Sequence, residues 1–136
     1  MAEISDLAVL DASNTARFPE GQNAASLNDG ARALEGILAR WFRDISGVTI
    51  TGGTATAYTV TTNRAITSLD AGIVLVVRAH IANTGSATLA VNGLAAKPLV
   101  RQDGTSLVAG DVLVNQPLYI IYNDSTDKFH CMGIAA

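Results

Sequence analysis

The sequence predicts a mainly β protein with one amphipathic N-terminal helix, an α+β chain whose larger part is a small antiparallel β-sandwich or barrel of about seven strands. Two observations carry this. Leu34, Ile37, Leu38, Trp41, Phe42 and Ile45 recur at spacings of three and four residues, which stacks them on one helical face. From Val48 onward the chain becomes a run of short Thr- and Val-rich segments punctuated by Gly, Asn and Asp, which is how a small β-domain is written. A chain of 136 residues holds one ordinary domain, or a smaller one with an extension. The organisation expected is therefore an extended arm over 1–25, a helical segment over 26–47 and a β-module over 48–136.

Residues 1–25 show no sustained periodicity, and Asp11, Ser13, Asn14, Pro19 and Gly21 favour turns and extended chain. Leu7, Val9 and Leu10 suit a short strand or arm, and Phe18-Pro19 reads as an extended dipeptide because the proline ring restricts the residue before it. An arm of this kind buries little by itself and is either mobile or ordered by lying on a neighbouring subunit.

The helix is expected from Ser26 to Ser46. Ser26 or Asn28 is the candidate cap, with Asp29 three residues after Ser26 approximating a capping box, and Gly47 supplies the stop. Asp29 near the amino end and Arg40 and Arg43 near the carboxyl end follow the order that the helix dipole favours. Gly30 and Gly36 each cost up to about 1 kcal/mol relative to Ala, so packing must compensate. A single helix cannot keep its Leu34, Ile37, Leu38, Trp41, Phe42 and Ile45 face dry, which makes these six residues the candidate oligomer interface.

Gly52-Gly53 reads as a hinge between helix and β-module. Strands are expected over 54–62, 73–82, 87–91, 98–101, 112–114, 118–122 and 128–134. Asn92-Gly93 and Asp103-Gly104 signal tight hairpins, while Asn83-Thr84-Gly85 and Asn123-Asp124-Ser125 suit longer connections. The last of these also matches a glycosylation acceptor, but with no secretion signal ahead of it the turn is the better reading. The 73–77 stretch is apolar without alternation and belongs at the centre of the sheet, and 54–62, which alternates, suits an edge.

Composition narrows the function. Charged residues make up 15%, against roughly 25% in average soluble domains, and the net charge is -3 with no run of Lys or Arg. A phosphate-neutralising surface is missing, which argues against nucleic acid as a partner. No apolar run approaches the roughly 18 residues needed to span a bilayer, so no membrane partner is expected either. Sparse charge also leaves neutral surface that is readily covered by another copy.

The search for chemistry yields no enzyme. No GxSxG elbow and no P-loop occur, and Asp70, Asp103, Asp111, Asp124 and Asp127 all fall in or beside turns. His130 and Cys131 point to opposite faces of a strand, and His80 alone does not complete a metal site, so neither metal nor cofactor is expected. Cys131 is the only cysteine, which leaves a buried apolar thiol or an intersubunit bond. Tyr58, Tyr119, Tyr122 and Phe129 suit sheet packing, with a sugar-stacking platform on the tyrosines as the alternative.

Two blocks of sequence resemble small phage tail-fibre and related virion appendage proteins. Phe18-Pro19-Glu20-Gly21-Gln22, Leu27-Asn28-Asp29, Ala31-Arg32-Ala33-Leu34 and Trp41-Phe42 look like the amino-terminal region of such fibres. Gly53-Thr54-Ala55-Thr56-Ala57-Tyr58-Thr59-Val60, the stretch from Ala82 to Gly93, Lys97-Pro98-Leu99 and Leu107-Val108-Ala109-Gly110-Asp111 look like the β-module that often follows.

The resemblance implies a homotrimeric or otherwise oligomeric virion component, made in the host cytoplasm. It would attach to other virion proteins through its front end, with Leu7, Leu10, Phe18, Pro19, Glu20 and Gln22 as the attachment residues. Long fibres continue into shafts and receptor-binding tips, whereas here one β-module ends the chain, so a short fibre or fibre adaptor is expected. A capsid decoration or head or neck fibre is the runner-up, and a carbohydrate-binding module for host surface polysaccharide is the alternative from another class.

Overall fold

The computed structural model describes residues 3–9, 13–14 and 18–134. It divides into two compact units, Met1–Phe42 and Arg43–Ala136. The fold class is the one the sequence predicts: one long helix and a mainly β remainder in a barrel-like sheet.

In the first unit a short 3-10 helix spans Ile4–Asp6, where an extended arm was expected. Its ends are tied by a reciprocal box in which the Glu3 N–H donates to Asp6 Oδ2 at 2.8 Å. Glu3 also pairs with Arg40 at 3.2 Å, with the Glu3 side chain only 9% exposed. Ala8 and Asn14 exchange two further bonds, 2.8 and 2.9 Å long. Leu10 lies outside the described residues.

Helix α1 covers Ala24–Ile45, starting two residues before the expected Ser26. The cap is Asn23, whose Oδ1 accepts from the Ser26 N–H at 2.9 Å, so Ser26 occupies the third helical position instead of the cap. Gly47 ends the helix as expected, at φ +77. Its last turn belongs to the second unit, where Asp44 is 1% exposed. That carboxylate accepts from Asn63 N, Asn63 Nδ2, Arg64 N and Arg64 Nε at 2.7 to 3.1 Å.

The sheet contains eight strands: β1 (Thr49–Ile50), β2 (Gly52–Gly53), β3 (Ala57–Val60), β4 (Val74–Arg78), β5 (Ala87–Val91), β6 (Lys97–Arg101), β7 (Pro117–Asn123) and β8 (Lys128–Met132). They follow the order β1-β4-β7-β8-β6-β5-β3-β2. Directions are mixed. β2–β3, β4–β7, β5–β6 and β7–β8 are antiparallel, while β1–β4, β3–β5 and β6–β8 run parallel because the chain crosses between non-consecutive neighbours.

The two ends of this order are consecutive in sequence, separated by Thr51 alone. One extended stretch, Thr49–Gly53, therefore pairs with β4 through its first half and with β3 through its second. Thr51 is 5% exposed. Its Oγ1 accepts from the His80 backbone N–H at 3.1 Å and lies 2.9 Å from His80 Nδ1, while His80 Nε2 lies 3.3 Å from the Gly53 carbonyl. With Nε2–H donating to that carbonyl, Nδ1 is left to accept the Thr51 hydroxyl, so one histidine ties both margins of the sheet.

Gly52-Gly53 is thus a strand and not a hinge. A Cβ built on Gly53, at φ +86, would meet the Ala57 carbonyl oxygen at 2.2 Å, so glycine allows the tight return into β3. The expected strand over 112–114 is a turn. Asn83, 3% exposed, takes the Val112 N–H on its Oδ1 and donates to the Gly85 and Val108 carbonyls. Asn92 and Gly93, at φ 51 and 76, form the expected hairpin between β5 and β6. At Asp103-Gly104 only the glycine has positive φ, and the chain turns through Gly104 N–H to the Arg101 carbonyl at 2.9 Å. Inward side chains of alternate positions fill the interior, with Tyr58, Leu75, Leu89, Leu99, Ile120 and Phe129 each at most 2% exposed.

Candidate assembly interface

The helix presents most of its apolar stripe to the outside. Leu38 is 45% exposed, Trp41 39% and Phe42 62%, and Leu27, about three turns before Leu38, is also open. Leu34 and Ile45 are half-buried, and Ile37 is fully buried in the single chain, so of the six residues expected at an interface it alone is closed to a neighbour. Gly30, Ile37 and Asp44, spaced by seven, mark the side of the helix that is already covered.

Placing the exposed and half-buried apolar residues in order adds a regularity. Leu27, Ala31, Leu34, Leu38, Trp41 and Ile45 alternate four- and three-residue steps, the 3.5 repeat of a helix that packs along its length on another helix. Phe42 widens the stripe beyond a strict two-position seam, as in helices that meet more than one partner helix. Among the described residues α1 is the only α-helix.

The residues expected to attach the arm are spread out. Phe18, Pro19 and Glu20 are exposed and Leu7 is half-buried. Gln22, just before the Asn23 cap, holds both amide atoms out of solvent with no hydrogen-bond partner among the described residues. The Glu3–Arg40 pair that holds the arm to the helix was not legible in sequence, because the two are 37 positions apart.

The β-module carries charge mostly as local pairs. Asp111 receives two bonds from Arg101, the shorter 2.8 Å, and this pairing holds its carboxyl below the usual range. Lys97 likewise donates to Asp127 at 2.6 Å and lowers its pKa. The Tyr122 hydroxyl donates to the same carboxylate at 2.6 Å, and that bond, then burial and the nearby Asp124 and Asp70 charges, push it up to about 12. These pairs tie turns to the strands beside them.

The tyrosine platform is not assembled. Tyr58 and Tyr122 are buried in the core, the Tyr58 hydroxyl donating to the Ile81 carbonyl at 2.8 Å, and only Tyr119 is open. Cys131 points into the core at 0% exposure while His130 faces out, and burial pushes the thiol up to about 12. A buried, protonated thiol does not bridge subunits. Among the described residues no group of three His, Cys, Asp or Glu side chains is placed to hold a metal ion, and no helix is long and apolar enough to cross a membrane. No protein-family model matches the chain, and no curated protein matches it.

Proposed function

We propose that this protein is a self-associating structural component of a bacteriophage virion, a short tail fibre or fibre adaptor without enzymatic activity. Copies join through α1, and the N-terminal region attaches to other virion proteins. The observation that carries self-association is the open 3.5-repeat stripe on the only α-helix described. Burying a Leu or Trp side chain of that stripe contributes about 1.5–3 kcal/mol, which over several layers exceeds the cost of bringing subunits together. The virion role rests on the resemblance of the 18–42 and 53–111 segments to fibre proteins, and the trimer is the stoichiometry that resemblance implies.

Light scattering on the purified chain tests the first part. An oligomer is expected, with Leu38→Asp and Trp41→Asp shifting it to monomer, whereas a wild type that stays monomeric at high concentration overturns the proposal. Deleting residues 1–22 should leave the oligomer folded and abolish incorporation into particles. Normal incorporation of that truncated chain would refute the attachment role.

A further inference from the structure

Asn92 is the one asparagine in the sequence that glycine follows. That pair carries a reaction of its own. Gly93 has no side chain to shield its backbone nitrogen, which can attack the side-chain carbonyl carbon of Asn92. A bond forms between that nitrogen and Cγ, the bond from Cγ to the amide nitrogen breaks, and ammonia leaves with the proton that Gly93 gives up. A cyclic succinimide remains, and water opens it on one side to aspartate or on the other to isoaspartate. Water is the only co-reactant.

In the folded β-module both ends of the Asn92 amide are engaged. Its Oδ1 accepts the Thr62 N–H at 2.8 Å, and its Nδ2 donates to Thr62 Oγ1 at 2.7 Å and to the Ile66 carbonyl at 3.2 Å. The backbone around it is closed as well. The Asn92 N–H donates to the Val60 carbonyl at 2.9 Å, and the Leu94 N–H donates across the turn to the Val91 carbonyl at 2.9 Å. Attack by Gly93 makes Cγ tetrahedral and expels the nitrogen that carries two of the three side-chain bonds, so it proceeds only when this net opens. The net reaches further through Thr62, whose hydroxyl donates to the Arg64 carbonyl at 2.7 Å, into the 63–64 backbone that Asp44 holds.

We propose that Asn92 is a self-modification site gated by folding: the amide persists while the β-module is folded and converts when the chain unfolds. The conversion runs one way, and its products do not fit the net. Aspartate replaces the Nδ2 donor with an oxygen facing the Ile66 carbonyl, so two acceptors meet with no hydrogen between them. Isoaspartate adds a methylene to the main chain inside the turn that sets the register of β5 on β6. A chain held unfolded therefore returns to a less stable module, and residue 92 keeps the record. The inference rests neither on self-association nor on the virion role.

The test follows the full-length chain in mildly alkaline buffer, with and without guanidinium chloride, and reads residue 92 by peptide mass spectrometry. Conversion should be about tenfold or more slower in the folded protein, because attack waits for local opening. Equal rates in the two conditions overturn the gating. In the denaturant Gly93→Ala should slow conversion by crowding the attacking nitrogen, and a rate equal to wild type there overturns the succinimide route. Asn92→Asp, which supplies one hydrolysis product directly, should melt about 4 °C or more below wild type or fail to fold. A melt that matches wild type shows that the product fits the net and overturns the lasting loss of stability.

Discussion

Single side chains decide much of the stability of the β-module. Asp44 is the strongest case, because one buried carboxylate closes the last turn of α1 onto the 63–64 backbone and neutralises Arg64, itself 10% exposed. Asp44→Ala leaves that guanidinium buried without its partner and should lower unfolding free energy by about 3–5 kcal/mol in a denaturant titration. The exposed Asp29–Arg32 pair should contribute little measurable stability. Cys131 makes a second prediction: a thiol reagent should not modify it until the protein unfolds. Its raised pKa and that of Tyr122 set a pH dependence with a definite sign. Both groups keep their protons longer in the folded chain than in the unfolded one, so their contribution is complete below about 9 and declines as pH rises toward about 12. Thermal melts between pH 8 and pH 11 measure this as a falling midpoint, and a flat profile would contradict it. Sequence made Cys131 and His130 point to opposite faces but could not say which faced inward, since that depends on which surface the sheet curls around.

At the scale of elements, legibility follows how local the signal is. The helix was readable because six bulky residues repeat within 12 positions, and its cap was misplaced by three because Asn23, Ser26 and Asn28 are all competent. The β5–β6 hairpin was readable from Asn92-Gly93. β1 and β2 were not, since two glycines carry no side-chain pattern and their pairing is purely backbone, with partners at Thr59, Tyr58, Val77 and Arg78. The strand expected over 112–114 does not form because a buried asparagine 29 positions away takes the place of a neighbouring strand. The β2 margin gives a paired prediction. Gly53→Ala forces a Cβ against a carbonyl at positive φ and should destabilise by more than 1 kcal/mol. Gly85→Ala, which meets nothing within 4 Å and has no positive φ, should be close to neutral in the same melts.

For the whole molecule, the helix stripe was legible and the apolar line across the outer side of the sheet was not. The stripe is written in consecutive turns, whereas Val48, Val76, Tyr119 and Met132 come together only through the strand order. The proposed role of the stripe predicts a phenotype separable from the folding of the β-module. Leu38→Asp or Trp41→Asp should reduce the mass seen by light scattering while leaving the melting curve of the β-module nearly unchanged, and loss of the β spectrum instead would mean that the helix is needed to fold it. The continuous Thr49–Gly53 stretch has one more effect, on the margins of the sheet. A sheet with bare margins can recruit further strands without limit and grow into fibrils. Because one length of chain lies along Val77 and Arg78 on one margin and along Tyr58 and Thr59 on the other, the backbone of those stretches is already taken and is closed to strands from outside.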